Sequence, residues 1–244
     1  VEPNADDESD ERLLSTLASS MGVALENARL FDETKRLLTE TDQRAAELAI
    51  INSVQQGLAA ELDMQAMYDL VGDKIQEIFD AQVVDIGILD LAGGLIHFPY
   101  AIERGVRFPD QPIEVIGFRR HVIETGQPLL VVEDLTARAL ELGQPPVIQG
   151  ELARSALFVP LLVGGSATGV ILLANLDREH AFGDADVGLL TTIAASLSVA
   201  LENAHLIDET RQRNAELGII NGIQQGLAAE LDMQTMYDRV GDKI

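Results

Sequence analysis

One passage of this sequence is written twice. Residues 23–75 read VALENARLFDETKRLLTETDQRAAELAIINSVQQGLAAELDMQAMYDLVGDKI, and residues 199–244 read VALENAHLIDETRQRNAELGIINGIQQGLAAELDMQTMYDRVGDKI. The offset is 176 residues between Glu26 and Glu202 but 169 between Glu47 and Glu216, so the copies differ by a block of seven. Seven residues are one heptad, about 10.5 Å of helical rise, and their loss shortens a helix while hardly rotating its apolar face. Loss of a heptad suits a helix better than a loop; a chance indel of that size is the competing account. A period of this length is too long for a solenoid unit and fits whole domains joined end to end. The expected organisation is a disordered lead-in at 1–10, the closing helix of a preceding domain and its connector at 11–47, and one complete domain at 48–202. A second connector and the truncated start of a following domain would occupy 203–244.

Behind Asp10 as an N-cap, Leu14, Leu17, Met21, Ala24, Ala28 and Phe31 recur at steps of three and four, the pattern of a coiled-coil or bundle seam. The second copy carries Leu190, Ile193, Leu197, Ala200, Ala204 and Ile207 in the same phase. Polar residues follow at core-like positions, Lys35 and Asp42 in one copy and Arg211 and Asn214 in the other; such residues weaken a seam while fixing its register. Two readings fit: a homodimer through parallel helices, or solvated helices lying on their own domain.

Between the copies, Asp63 is placed to cap a helix that runs to about Phe79,. VVDIGILD (83–90) and LIHFPYAIE (95–103) flank Gly93-Gly94 and predict an antiparallel hairpin,. Irregular sequence from Arg104 to Pro112 leads to a short strand near Ile113 to Val115. A helix over 117–125 follows, stopped by Gly126,. LLVV (129–132) reads as a strand, Asp134 opens a minor helix, and Gln144-Pro145-Pro146 breaks it. SALFVPLLV and ATGVILLAN, joined through Gly164-Gly165, form a hairpin apolar on both faces, hence a covered sheet centre,. Pro160 cannot donate to a ladder and implies a bulge or an unpaired position. Asp184 is placed to cap the last helix. The class is α+β: an antiparallel sheet with helices on both faces, flanked by long helices at both ends.

The chain has no Cys, which removes disulfides, thiolate metal sites and Cys nucleophiles. A net charge of −23 repels phosphate backbones and anionic lipid, so neither nucleic acid nor a membrane is an expected partner. No apolar run approaches the roughly 20 residues of a membrane span, and the chain reads as soluble and cytoplasmic. No phosphate-binding loop, nucleophile elbow or zinc-protease motif occurs,.

HVIETGQPLLVVEDL (121–135), SALFVPLLVGGSATGVILLANLD (155–177) and FGDADVGLLTTIAASLSVALENAHL (182–206) resemble the GAF domain family. The last phrase returns near the start as LLSTLASSMGVALENARL, which resembles the closing helix of a preceding GAF domain. The resemblance implies a six-stranded antiparallel sheet with the terminal helices on one face and a small-molecule cavity on the other. It places that cavity under residues 117–125 and 134–155, lined by Phe98, Tyr100, Phe118, Arg119, His121, Val122, Asp134 and Ser155. An inward Arg119 or Arg120 would bind a carboxylate or phosphate bidentately; two solvated arginines are the competing reading, as plain core is for Phe98 and Phe118.

The family's cyclic-nucleotide pattern resembles Asn175, Phe182 and Asp186 here. Leu176 and Val187 replace its Lys and Glu, and the alternative is that the three are turn, core and helix-cap residues. Bilin attachment and the GAF-like sulfoxide reductases use Cys, which this chain lacks. His97, His121 and His180 lack a second haem ligand at telling spacing, and His205 stands where the first copy has Arg29. The expectation is therefore a non-catalytic sensory or regulatory module of a multidomain signalling protein, with no metal and no cofactor. It would bind an unidentified small molecule and relay through coiled-coil connectors to neighbouring GAF or effector domains. A ligand-free dimerisation spacer is the alternative.

Overall fold

The computed structural model describes residues 5–61, 63–90, 93–144 and 150–241. It divides into two compact units, Val1–Asn52 and Ser53–Ile244. The described part of the first is helix α1 (Ala5–Ala60), whose last turns belong to the second unit. The lead-in expected at 1–10 is helical from Ala5, and Asp10 lies inside the helix instead of capping it. Residues 1–4 lie outside the described residues. Leu14, Leu17, Met21, Ala24, Ala28 and Phe31 are all exposed.

In the second unit Asp63 caps α2 (Met64–Ile78) as expected, its Oδ1 accepting the Ala66 N–H at 2.9 Å,. The strands are β1 (Val83–Asp90), β2 (Leu95–Glu103), β3 (Val106–Arg107), β4 (Ile113–Glu114), β5 (Leu129–Val131), β6 (Ser155–Val163) and β7 (Ser166–Asn175). They form one antiparallel sheet in the order β3-β2-β1-β7-β6-β5, with β4 also paired to β2. Six strands were implied and seven are present among the described residues. The extra one, β3, falls in the stretch read as irregular, where Gly105 at φ 79° lets the chain double back on β2,.

Alternation along the central strands explains why both faces are covered. Leu157, Val159 and Leu161 of β6 join Val84 and Ile86 of β1 under α2, α5 (Asp184–Gly241) and Val54 and Leu58 of α1. Ala156 and Phe158 point the other way, against Phe118 and Val122 of α3 (Gly117–Thr125) and Leu135 and Ala139 of α4 (Leu135–Glu141). Gly126 ends α3 in the left-handed region, as its position predicts,. Pro160 pairs in register with Val170, and the bulge expected there falls one step on, between Leu161 and Leu162.

Helix α5 starts at Asp184, so this residue is helical and is not the cap. Asp186 reaches back to accept the Gly183 N–H at 2.8 Å, half of a capping box. Its Leu190, Ile193 and Leu197 are buried in the unit's own core, and Ala204 is buried with them. These four are therefore not a free dimer seam: the side of the helix they share is the one that covers the sheet. The stretch Asp184–Asn221 is long and apolar enough to cross a membrane by length and composition, against the expectation from the sequence. Its apolar content includes this core face, which lies against the sheet.

Candidate ligand-binding site

The α3 and α4 side of the sheet holds a cavity of about 150 Å³. Its floor comes from β1, β2 and β7, its roof from Phe118 and Arg119 of α3 and Leu135 of α4, and its rim from Glu103, Gln144 and Glu151. The backbone that shapes it is held locally. Gly117 takes φ 55°, and an added Cβ would lie 2.2 Å from Gln144 Oε1. That same oxygen accepts the Phe118 N–H at 3.0 Å, so a residue from beyond α4 caps the first turn of α3. At the rim, Glu103 accepts the Glu151 N–H at 3.3 Å, and Arg104, at φ 46°, grips the Glu151 and Asp177 carboxylates.

The chemistry centres on a buried ion pair. Arg119 Nη2 donates to Asp85 Oδ2 at 2.6 Å, and each side chain is only 10% exposed. Burial pushes the Asp85 carboxyl above the ordinary carboxylate range, and the adjacent guanidinium opposes that rise,. Among the described residues, Asp85 Oδ1 and Arg119 Nε are the buried side-chain polar atoms with no hydrogen-bond partner. The guanidinium also lies 5.0 Å over the Phe98 ring, and the Phe118 and Phe158 rings stack with centroids 5.0 Å apart.

Of the eight lining residues expected from the sequence, Phe98, Phe118 and Arg119 line this cavity. Tyr100 does not. It is fully buried on the opposite face, its hydroxyl donating to Asp73 of α2 at 2.8 Å and its ring against Gly72, where a Cβ would come within 2.4 Å. The reason is a register shift: Ile86 pairs with Tyr100 but Ile88 pairs with His97, so β2 carries an extra residue at Phe98-Pro99. That bulge puts Phe98 and Tyr100 on opposite faces although their spacing of two predicts the same one.

Val122 packs in the core under α3, and His121 lies in the same helix, half-buried and outside the lining. Asp134 sits exposed at φ 49° before α4 without a side-chain cap bond. Ser155 is buried and donates to the Arg178 carbonyl. Arg120 is exposed and donates to the Val115 carbonyl.

Asn175, Phe182 and Asp186 take the turn, core and cap roles. Asn175 donates to the Asp80 carbonyl and accepts from the Asp177 and Arg178 amides. Phe182 is buried in the core under α5, and Asp186 completes the helix start. His97 and His180 lie 3.0 and 3.1 Å from Asp110 and Glu133 carboxylates. No group of three or more His, Asp or Glu side chains gathers to hold a metal among the described residues.

Sequence reasoning missed Asp85, Gln144, Glu103 and Glu151. Asp85 left a signal: a charged residue inside the apolar strand VVDIGILD must be paired when buried. A second, more apolar groove of about 610 Å³ runs beside α5, lined among others by Leu58, Met67, Ala200, Ala204 and Ile207.

The family model described as GAF domain matches residues 63–201. Among solved structures, the GAF domain of an Acinetobacter phosphoenolpyruvate-protein phosphotransferase is similar over 66% of this chain and 96% of its own, at 16% identity and a TM-score of 0.57. A free methionine-R-sulfoxide reductase from Neisseria meningitidis, in complex with its substrate, is similar over 67% and 92%, at 19% identity and 0.57. Residues 122 to 287 of a methyl-accepting chemotaxis protein are similar over 63% and 98%, at 18% identity and 0.56. At these identities the likeness is one of fold.

Proposed function

Because the chain belongs to the GAF domain family, we propose that it works as a non-catalytic sensory module of a multidomain, cytoplasmic signalling protein. A small molecule settles beside Asp85 and Arg119, and the helices on the other face of the sheet respond. The observation that carries this reading is the cavity of about 150 Å³ beside the buried Asp85–Arg119 pair, walled by Phe98, Phe118 and Phe158. A pre-formed, mostly apolar hollow with a few convergent polar groups is the usual form of a small-molecule site. A spacer whose cavity is filled by its own side chains would leave no such space.

The β2 bulge supplies a route to the helices. Phe98 touches the cavity, and two residues on Tyr100 holds α2 through Asp73 and Gly72. A ligand that displaces Phe98 therefore biases the packing of α2. The domain-length sequence repeat supports a place in a chain of such modules, with neighbouring GAF or effector domains as partners. Homodimerisation is supported by the exposed apolar residues of α1, Leu14, Leu17, Met21 and Phe31, and by the groove beside Ala200 and Ile207.

Native mass spectrometry of freshly purified protein tests both parts. The expected spectrum is a dimer carrying a small-molecule mass that denaturation removes. A bare monomer that gains no thermal stability from any compound in a metabolite screen would leave neither part standing.

A further inference from the structure

We propose that the place on the sheet held by residues 53–75, the last turns of α1 and most of α2, also accepts residues 222–244 of a second copy of this chain.

The hold of α2 on the sheet is written twice in the sequence. Val71 and Ile75 are fully buried in the core, Gly72 lies against the Tyr100 ring, and Asp73 accepts the Tyr100 hydroxyl proton at 2.8 Å. Nearer the surface, Asp69 pairs with Arg107 at 2.6 Å, and Gln65 Nε2 donates to the Pro99 carbonyl at 2.9 Å. All six recur 169 residues later, as Val240, Ile244, Gly241, Asp242, Asp238 and Gln234.

The two segments differ at four positions, where Ser53, Val54, Ala66 and Leu70 are matched by Gly222, Ile223, Thr235 and Arg239. Ser53 is exposed, and Ala66 and Leu70 are half-buried. An arginine stem can cover the apolar surface that Leu70 covers while its head stays in water. Ile at the buried Val54 site adds one methylene to a packed core, which tilts the balance slightly toward the resident segment,.

Local sequence does not decide which segment docks. Residues 55–65 and 224–234 are one string, QQGLAAELDMQ. On the sheet it is broken, α1 ending at Ala60 and α2 starting at Met64 behind the Asp63 cap, whereas α5 runs through it unbroken to Gly241. The break therefore comes from contact with the sheet. A visiting segment is already helical before it docks, so little has to be ordered on binding.

The resident keeps its place because it is attached. Attachment amounts to an effective concentration in the millimolar range, so a visitor at micromolar concentration is held off until the resident is loosened. The visiting segment and the site are different parts of the chain, and exchange is therefore head-to-tail, building rings or open strings of molecules.

The test titrates the whole chain with a synthetic peptide of residues 222–244, standing for the second copy, and follows the Tyr100 signals by NMR. Wild type should respond only as the peptide approaches about millimolar concentration. Gly72→Ala in the chain presses a methyl on the Tyr100 ring, loosens the resident, and should tighten capture by about tenfold. The same change in the peptide, Gly241→Ala, should weaken capture by about tenfold. Binding elsewhere on the molecule would not give these opposite signs. Should Gly72→Ala not fold, the two peptides compared on wild type decide alone. Tyr100 signals that stay unmoved at millimolar peptide, or capture that ignores either glycine change, would overturn the proposal.

Discussion

Replacing Arg119 by Met removes one partner of the buried pair and nearly keeps the side-chain volume. Asp85 and Arg119 are 7% and 8% exposed, so solvent cannot rescue the carboxylate that is left. Breaking a buried pair in this way costs about 3–5 kcal/mol. In a domain of this size each kcal/mol lowers the melting temperature by about 2–4 °C, which gives a fall of roughly 6–20 °C at pH 7. The pH dependence adds a sign. Burial raises the Asp85 pKa and Arg119 opposes it, so the variant's folded carboxyl rises further. An acid whose folded pKa lies above its unfolded value of about 3.9 holds its proton more tightly when folded. Its contribution to stability is therefore greatest below the unfolded pKa and is lost as pH rises through the folded pKa. Because that window is wider in Arg119→Met, the gap between wild type and variant should be small near pH 4 and widen toward pH 7. Differential scanning calorimetry of both proteins at a series of pH values measures it. A gap below about 2 °C at pH 7, or one that narrows as pH rises, would refute the reasoning.

Gly72→Ala pushes a methyl into the Tyr100 ring and should cost about 1–3 kcal/mol; a thermal-melt double-mutant cycle with Tyr100→Leu should recover part of it. Asn175→Ala forfeits one donated and two accepted hydrogen bonds, a loss of about 2–3 kcal/mol, seen as a lower urea midpoint at unchanged slope. Ile193→Ala, in the core, should cost about 2–5 kcal/mol. Leu140→Ala, exposed on α4, should stay within about 0.5 kcal/mol; equal losses would contradict the placement of Ile193 under the sheet.

Much of the fold was legible because its signals are local. Asp63 and Gly126 mark helix ends by their own side-chain and backbone chemistry, and the Gly-Gly turns announce both hairpins whatever the rest of the chain does. The start of α1 was misread because a cluster of acidic residues resembles a disordered lead-in. The two apolar stripes were read alike because their spacing is alike. Spacing reports a buried face and says nothing of what buries it.

By itself, then, the sequence determined the element order apart from β3, the α+β class, the domain-length repeat and the presence of an arginine at the head of α3. The tertiary structure decided what that arginine does. Asp85 and Arg119 are 34 residues apart, and only the stacking of α3 over β6 and β7, next to β1 in the sheet, brings them together. The bulge at Phe98-Pro99 likewise exists only as a mismatch between two paired strands. It turns Tyr100 away from the cavity and onto α2, which no period read along a single strand contains.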